Sequence, residues 1–115
     1  MKISVIGCGY LGAVHAAGMA ELGHTVVGVD VDAQKIAALT SGRAPFFEPG
    51  VDGLLESRSD RLRFTTDISE VADAEVHFIA VGTPQAEGGA AADMRFVDAA
   101  FASLVPHLRP GALVV

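Results

Sequence analysis

The chain has 115 residues, half of them hydrophobic and 19% charged, with a formal net charge of −6 and a single cysteine. This is one domain at most, with enough apolar residues for a packed core and too few charges for disorder. The acidic balance argues against a nucleic-acid or anionic-membrane partner and leaves room for a local basic pocket for phosphate. A lone cysteine forms no internal disulfide and fits a reducing compartment, so a cytoplasmic location is expected.

Residues 2–6 (KISVI) form a short apolar run that predicts a first strand. Gly7-Cys8-Gly9-Tyr10-Leu11-Gly12 follows at once, and a helical pattern runs over residues 11–22, with Leu11, Val14, Gly18, Met19 and Leu22 on one stripe. Residues 25–30 predict a second, valine-rich strand ending on Asp30, 23 residues after the first glycine. Lys2, the apolar stretch and the small residues at 16–20 imitate a signal peptide. Three glycines within that stretch break an apolar helix and favour a strand followed by a phosphate loop instead.

Asp32 is a candidate N-cap for a helix over residues 33–40, and Gly42 is its stop signal. A loop with two prolines (43–50) and a short helix (51–58) come next, then a strand at 63–66 and one or two helical turns at 68–72. Residues 76–81 (VHFIAV) read as a continuous apolar strand covered on both faces. A loop at 82–93 leads to a helix capped by Asp93 and running to about residue 104, and a Pro110-Gly111 turn opens a last strand at 112–115. No run of about 18 apolar residues exists, so no membrane span is expected.

This alternation predicts an α/β fold of the Rossmann type, a doubly wound parallel sheet in the order 3-2-1-4-5 with right-handed crossovers. The last strand has no returning helix, so the chain is expected to be a partial domain of a longer protein, truncated after about its fifth strand.

The glycine loop is a G-x-G-x-x-G between strand and helix, with an acid after the second strand. Gly7 permits the tight turn, Gly9 lets a pyrophosphate approach the backbone, and Gly12 lets the helix pack close to the sheet. Asp30 is placed to accept a hydrogen bond from a ribose hydroxyl. Together these features point to a dinucleotide site. Thr83-Pro84 lies at the carboxyl end of a central strand, where such sheets bind ligands.

Cys8 at a helix N-terminus invites a nucleophile reading. The middle position of G-x-G is ordinarily filled by a small residue, and that plain role is favoured. His15, His24, His77 and His107 are too scattered for a metal motif, and no H-E-x-x-H occurs. They are read as structural, and no metal is expected.

Four segments resemble the N-terminal NAD-binding domain of the UDP-glucose/GDP-mannose dehydrogenase family: 7–12 (GCGYLG), 28–35 (GVDVDAQK), 47–50 (FEPG, followed by Leu54-Leu55) and 78–85 (FIAVGTPQ). The resemblance covers nearly all of residues 1–115, and FEPG and VGTP are more specific than the glycine loop. It departs mildly at Leu11, where valine is usual, and at His77, where an aliphatic residue is usual. The family oxidises the C6 alcohol of a nucleotide sugar to a carboxylate with two NAD, trapping the aldehyde on a cysteine.

The resemblance implies NAD held by Gly7, Cys8, Gly9, Tyr10, Leu11 and Gly12, by Asp30 and Lys35 at the adenosine ribose, and by Val81, Gly82, Thr83, Pro84 and Gln85 at the end of the fourth strand. It places the catalytic residues and the sugar site beyond this chain, so the chain alone is expected to catalyse nothing. It also implies a homodimeric full-length enzyme of nucleotide-sugar metabolism and polysaccharide biosynthesis. UDP-glucose is the favoured substrate, before GDP-mannose and UDP-N-acetylmannosamine. Two other readings stand beside it: a dinucleotide-binding sensor without turnover, and a methyltransferase. The methyltransferase reading leaves FEPG and VGTP unexplained.

Overall fold

The computed structural model describes residues 1–43, 50, 53, 55, 60–82 and 94–115. Five parallel strands form one sheet: β1 (Lys2–Ile6), β2 (Thr25–Val29), β3 (Leu62–Thr65), β4 (Val76–Ile79) and β5 (Leu113–Val114), in the order β3-β2-β1-β4-β5. The expected order holds, with strand bounds shifted by no more than two residues. β1 is central, and its last four residues are buried. That is why it reads as a solid apolar run without alternation.

Three α-helices are described: α1 (Tyr10–Glu21), α2 (Ala33–Thr40) and α3 (Arg95–Leu104). Asp32 caps α2 by accepting the N–H groups of Gln34 and Lys35 at 3.0 and 3.2 Å. Gly42, at φ +83°, ends the segment beyond it. The expected cap Asp93, the helix at 51–58 and the FEPG loop fall mostly or wholly outside the described residues. Among the described residues no helix is long and apolar enough to cross a membrane.

The α1 stripe differs from expectation. Leu11 and Leu22 are 68% and 71% exposed, while Gly12, Ala13, Ala16, Ala17 and Ala20 face the sheet. The glycine loop brings α1 so near the strands that only small side chains fit beneath it. Large apolar residues are displaced to its flanks and outer face.

Alternation along the strands divides the core. Ile3, Val5 and Val26 pack with the α1 alanines and with Ile36 and Leu39 of α2. Ile6 and Val29 face the other way, toward Val71 and Leu104. In β4 only His77 is fully buried, the flanking residues being half-buried. β4 is therefore less covered than its composition predicts.

His77 stands opposite Ser4 in the β1–β4 register, and the Ser4 hydroxyl shares a 2.7 Å hydrogen bond with His77 Nδ1. Both side chains are fully buried. His15 sets its ring edge-on to Phe78, with centroids 4.4 Å apart. Both histidines thus make a contact inside the fold, while His15 Nε2 and His77 Nε2 are buried without a hydrogen-bond partner among the described residues.

Burial pushes the His77 imidazole below its ordinary 6.5, an effect the Ala74 backbone opposes. The unfolded chain therefore takes up a proton at a higher pH than the fold does. The stability this represents is present above pH 6.5 and is lost as the pH falls below it. Asp67 and Asp73 are also held down, by Ser69 and Lys2 respectively, but their window lies below 3.8. Urea unfolding should thus show wild type losing more stability than His77→Val between about pH 7 and pH 5. Equal losses would show that His77 is not the titrating group. Ser4→Ala, which leaves Nδ1 unpartnered, should cost about 1–3 kcal/mol at pH 7.

Candidate cofactor site

The loop after β1 is built on the absence of side chains. Gly7 adopts φ +99°, and a Cβ there would stand 2.8 Å from Val81 N and 2.9 Å from the Ala80 carbonyl. A Cβ on Gly12 would lie 1.8 Å from Gly7 O, inside covalent-contact range. Gly9 is different: it N-caps α1 with no side-chain hydrogen bond, and among the described residues a Cβ there would meet nothing within 4 Å. The first turn of α1 carries no acid. Such a helix start favours an anion, and the open space above Gly9 fits a pyrophosphate.

Asp30 closes this loop. Its Oδ2 accepts the Cys8 N–H at 2.8 Å, its Oδ1 accepts the Asp32 N–H at 2.9 Å, and Lys35 Nζ lies 3.5 Å from Oδ2. The carboxylate thus fixes the middle of G-x-G to the end of β2 while still lining the cleft. Cys8 turns inward. Its fully buried thiol lies 3.6 Å from Val29 O, and burial, reinforced by the Asp30 charge, pushes its pKa to about 12. A thiol held protonated in this way is a poor nucleophile. Gly28 makes room for it: a Cβ there would stand 3.0 Å from Cys8 Sγ and 2.6 Å from the Phe64 ring.

The cleft has a volume of about 670 Å³. Gly7, Gly9, Asp30, Lys35, Val81 and Gly82 line it, so the structure brings together these sequence-predicted residues. Tyr10 and Leu11 are more than half exposed at the start of α1. Thr83, Pro84 and Gln85 lie outside the described residues. The sequence reading missed the far wall: Val31, Thr66, Ile68 and, from α3, Phe96, Ala99 and Ser103. One signal was available. Phe96, Ala100 and Leu104 share a helical stripe, with Leu104 buried and Phe96 55% exposed where it overhangs the cleft. A second hollow along the β3 edge contains Lys2, Asp73, Arg63 and Glu70, which form Lys2–Asp73 and Arg63–Glu70 ion pairs.

Residues 1–115 match the model of the UDP-glucose/GDP-mannose dehydrogenase family, NAD binding domain. The chain belongs to this family. It is 47% identical to a UDP-glucose 6-dehydrogenase of Rhizobium meliloti, matching all of this chain and 27% of that protein. It is 45% identical to a GDP-mannose 6-dehydrogenase of Pseudomonas aeruginosa, over 77% of this chain and 21% of that protein. Among solved structures, it superposes on a UDP-glucose dehydrogenase from Pyrobaculum islandicum with a TM-score of 0.90 and 43% identity, covering 98% of this chain and 27% of that one. It superposes on a UDP-D-ManNAc dehydrogenase from Pyrococcus horikoshii with a TM-score of 0.93 and 30% identity, covering 99% and 27%. The chain thus spans about a quarter of the length of these relatives, and it matches the family's NAD-binding domain.

Proposed function

We propose that the chain supplies the cofactor half of a nucleotide-sugar 6-dehydrogenase acting on UDP-glucose, in a homodimeric cytoplasmic enzyme. The observation that carries this reading is the joined geometry of the glycine loop and Asp30: an anion seat at Gly9 tied directly to a ribose acceptor. NAD, when bound, supplies the hydride acceptor. Gly9 and the start of α1 would hold its pyrophosphate, and Asp30, with Lys35 beside it, the adenosine ribose. Val31, Ile68 and Phe96, which line the cleft, would give the adenine apolar walls. Val81 and Gly82, with Thr83, Pro84 and Gln85, would border the nicotinamide end. The sugar site and the nucleophilic cysteine belong to the remainder of the enzyme.

The test is to supply the full-length enzyme with NAD and, in turn, UDP-glucose, GDP-mannose and UDP-N-acetylmannosamine, following NADH absorbance. Two NADH per UDP-glucose are expected, and turnover of only another sugar nucleotide would overturn the substrate assignment. Calorimetry tests the cofactor half. A carboxylate at the ribose 2′-OH accepts its hydrogen bond and repels a 2′-phosphate, so NAD should bind more tightly than NADP. Asp30→Ala should weaken NAD by about tenfold and narrow that difference. Equal affinities in wild type would refute the role of Asp30.

A further inference from the structure

We propose that Lys35 sets how strictly the site separates NAD from NADP: it is a latent partner for a 2′-phosphate, held in check by Asp30. This rests on the reading of Asp30 as the ribose acid. Asp30 does not need Lys35 to hold its place, because main-chain N–H groups of Cys8 and Asp32 already grip both of its oxygens at 2.8 and 2.9 Å. The ammonium stands farther off, at 3.5 Å, bound by charge and not by a short hydrogen bond.

Lys35 has a fixed base and a movable tip. Its backbone N–H is tied to the Asp32 cap in the first turn of α2, while its side chain remains 30% exposed. A flexible stem bearing three donors can turn from a carboxylate to a neighbouring phosphate with little backbone movement. Lys35 is also the one cation among the described residues lining the cleft. The other charges there are Asp30 and Asp32, the latter committed to its helix cap. Val31, between the two acids, is 97% exposed and apolar, so it offers a phosphate no donor from its side chain.

Lys35 favours NADP in both charge states of Asp30, weakly while the carboxylate is ionised and strongly once it is not. With Asp30 charged, Lys35 softens its repulsion of a 2′-phosphate. With that charge removed, Lys35 becomes free to pair with the phosphate, and preference moves toward NADP. Asp30→Asn is the suitable change: its amide oxygen can still accept the Cys8 N–H, and only the acceptor for the Asp32 N–H is lost, because the amide NH2 donates.

NAD and NADP differ only by the 2′-phosphate, so their affinity ratio isolates this contact. It is read by calorimetry on wild type, Lys35→Met, Asp30→Asn and the double variant, each checked for folding by circular dichroism. Lys35→Met should lower NADP affinity relative to NAD by about tenfold. Asp30→Asn should raise the NADP:NAD affinity ratio by at least about tenfold, and adding Lys35→Met should take back about tenfold or more of it, leaving only the relief of the Asp30 repulsion. A double variant with the same ratio as Asp30→Asn, or an unchanged ratio in Lys35→Met, overturns the inference. If Asp30→Asn does not fold, the Lys35→Met ratio decides alone. If wild type binds neither nucleotide, the cofactor reading falls and takes the inference with it.

Discussion

Gly12→Ala should cost about 4 kcal/mol or more, a large part of the roughly 5–15 kcal/mol that holds a domain together. The added Cβ would sit 1.8 Å from Gly7 O and 2.8 Å from Gly7 C, so something must move by more than an ångström. Gly7 has nowhere to go. It occupies φ +99°, donates its N–H to Val29 O at 2.7 Å, and abuts Ala80 and Val81 on its open side. The alternative is for α1 to back away, which would open voids under Ala13, Ala16, Ala17 and Ala20, all fully buried. Gly18→Ala, in the same helix, is the control. Nothing lies within 4 Å of its Cβ position, so the change should stabilise by about 0.5–1 kcal/mol through helix propensity alone. Urea unfolding of both variants measures the contrast. A Gly12→Ala protein within about 1 kcal/mol of wild type would show that loop and helix are not in the contact described.

Sequence made the strands legible because central parallel strands are buried on both faces and declare themselves as valine and isoleucine runs. It also made the glycine loop and Asp30 legible, because they form a local motif with a fixed order. The face of α1 was misread for a physical reason. Periodicity gives weight to large apolar residues, whereas a helix held this close to a sheet selects alanine. The double role of Asp30 was hidden because its partner, Cys8 N–H, is 22 residues away and is a backbone group that carries no sequence signature. Gly28 was legible only as part of a family pattern. Its need for space becomes evident when the Phe64 ring and the Cys8 thiol are seen to converge on it from β3 and from the loop. The far wall of the cleft comes from residues on three separate connections, brought together only by the crossover geometry.

Gly9 should behave opposite to Gly12: its substitution should spare the fold and remove the cofactor. Its backbone, at φ −72° and ψ −159°, lies in a region open to any L-residue, and an added Cβ meets no atom of the described residues within 4 Å. Gly9→Ala should therefore cost only a few tenths of a kcal/mol as an N-cap change. Gly9→Val adds a branched side chain that this extended conformation also accepts. Nothing among the described residues requires glycine here, yet the position sits at the start of α1, without a side-chain cap, and on the wall of the cleft. What needs the space is then the ligand, whose pyrophosphate must approach the backbone N–H groups to within hydrogen-bond distance. A methyl group holds it off and an isopropyl group occupies its place. NAD affinity should fall by about tenfold in Gly9→Ala and by a hundredfold or more in Gly9→Val, with urea midpoints near that of wild type. Calorimetry on both variants distinguishes the outcomes. Undiminished NAD binding by Gly9→Val would mean that the pyrophosphate does not pass over Gly9. A loss of binding that tracks a loss of stability would mean that the glycine serves the fold and not the ligand.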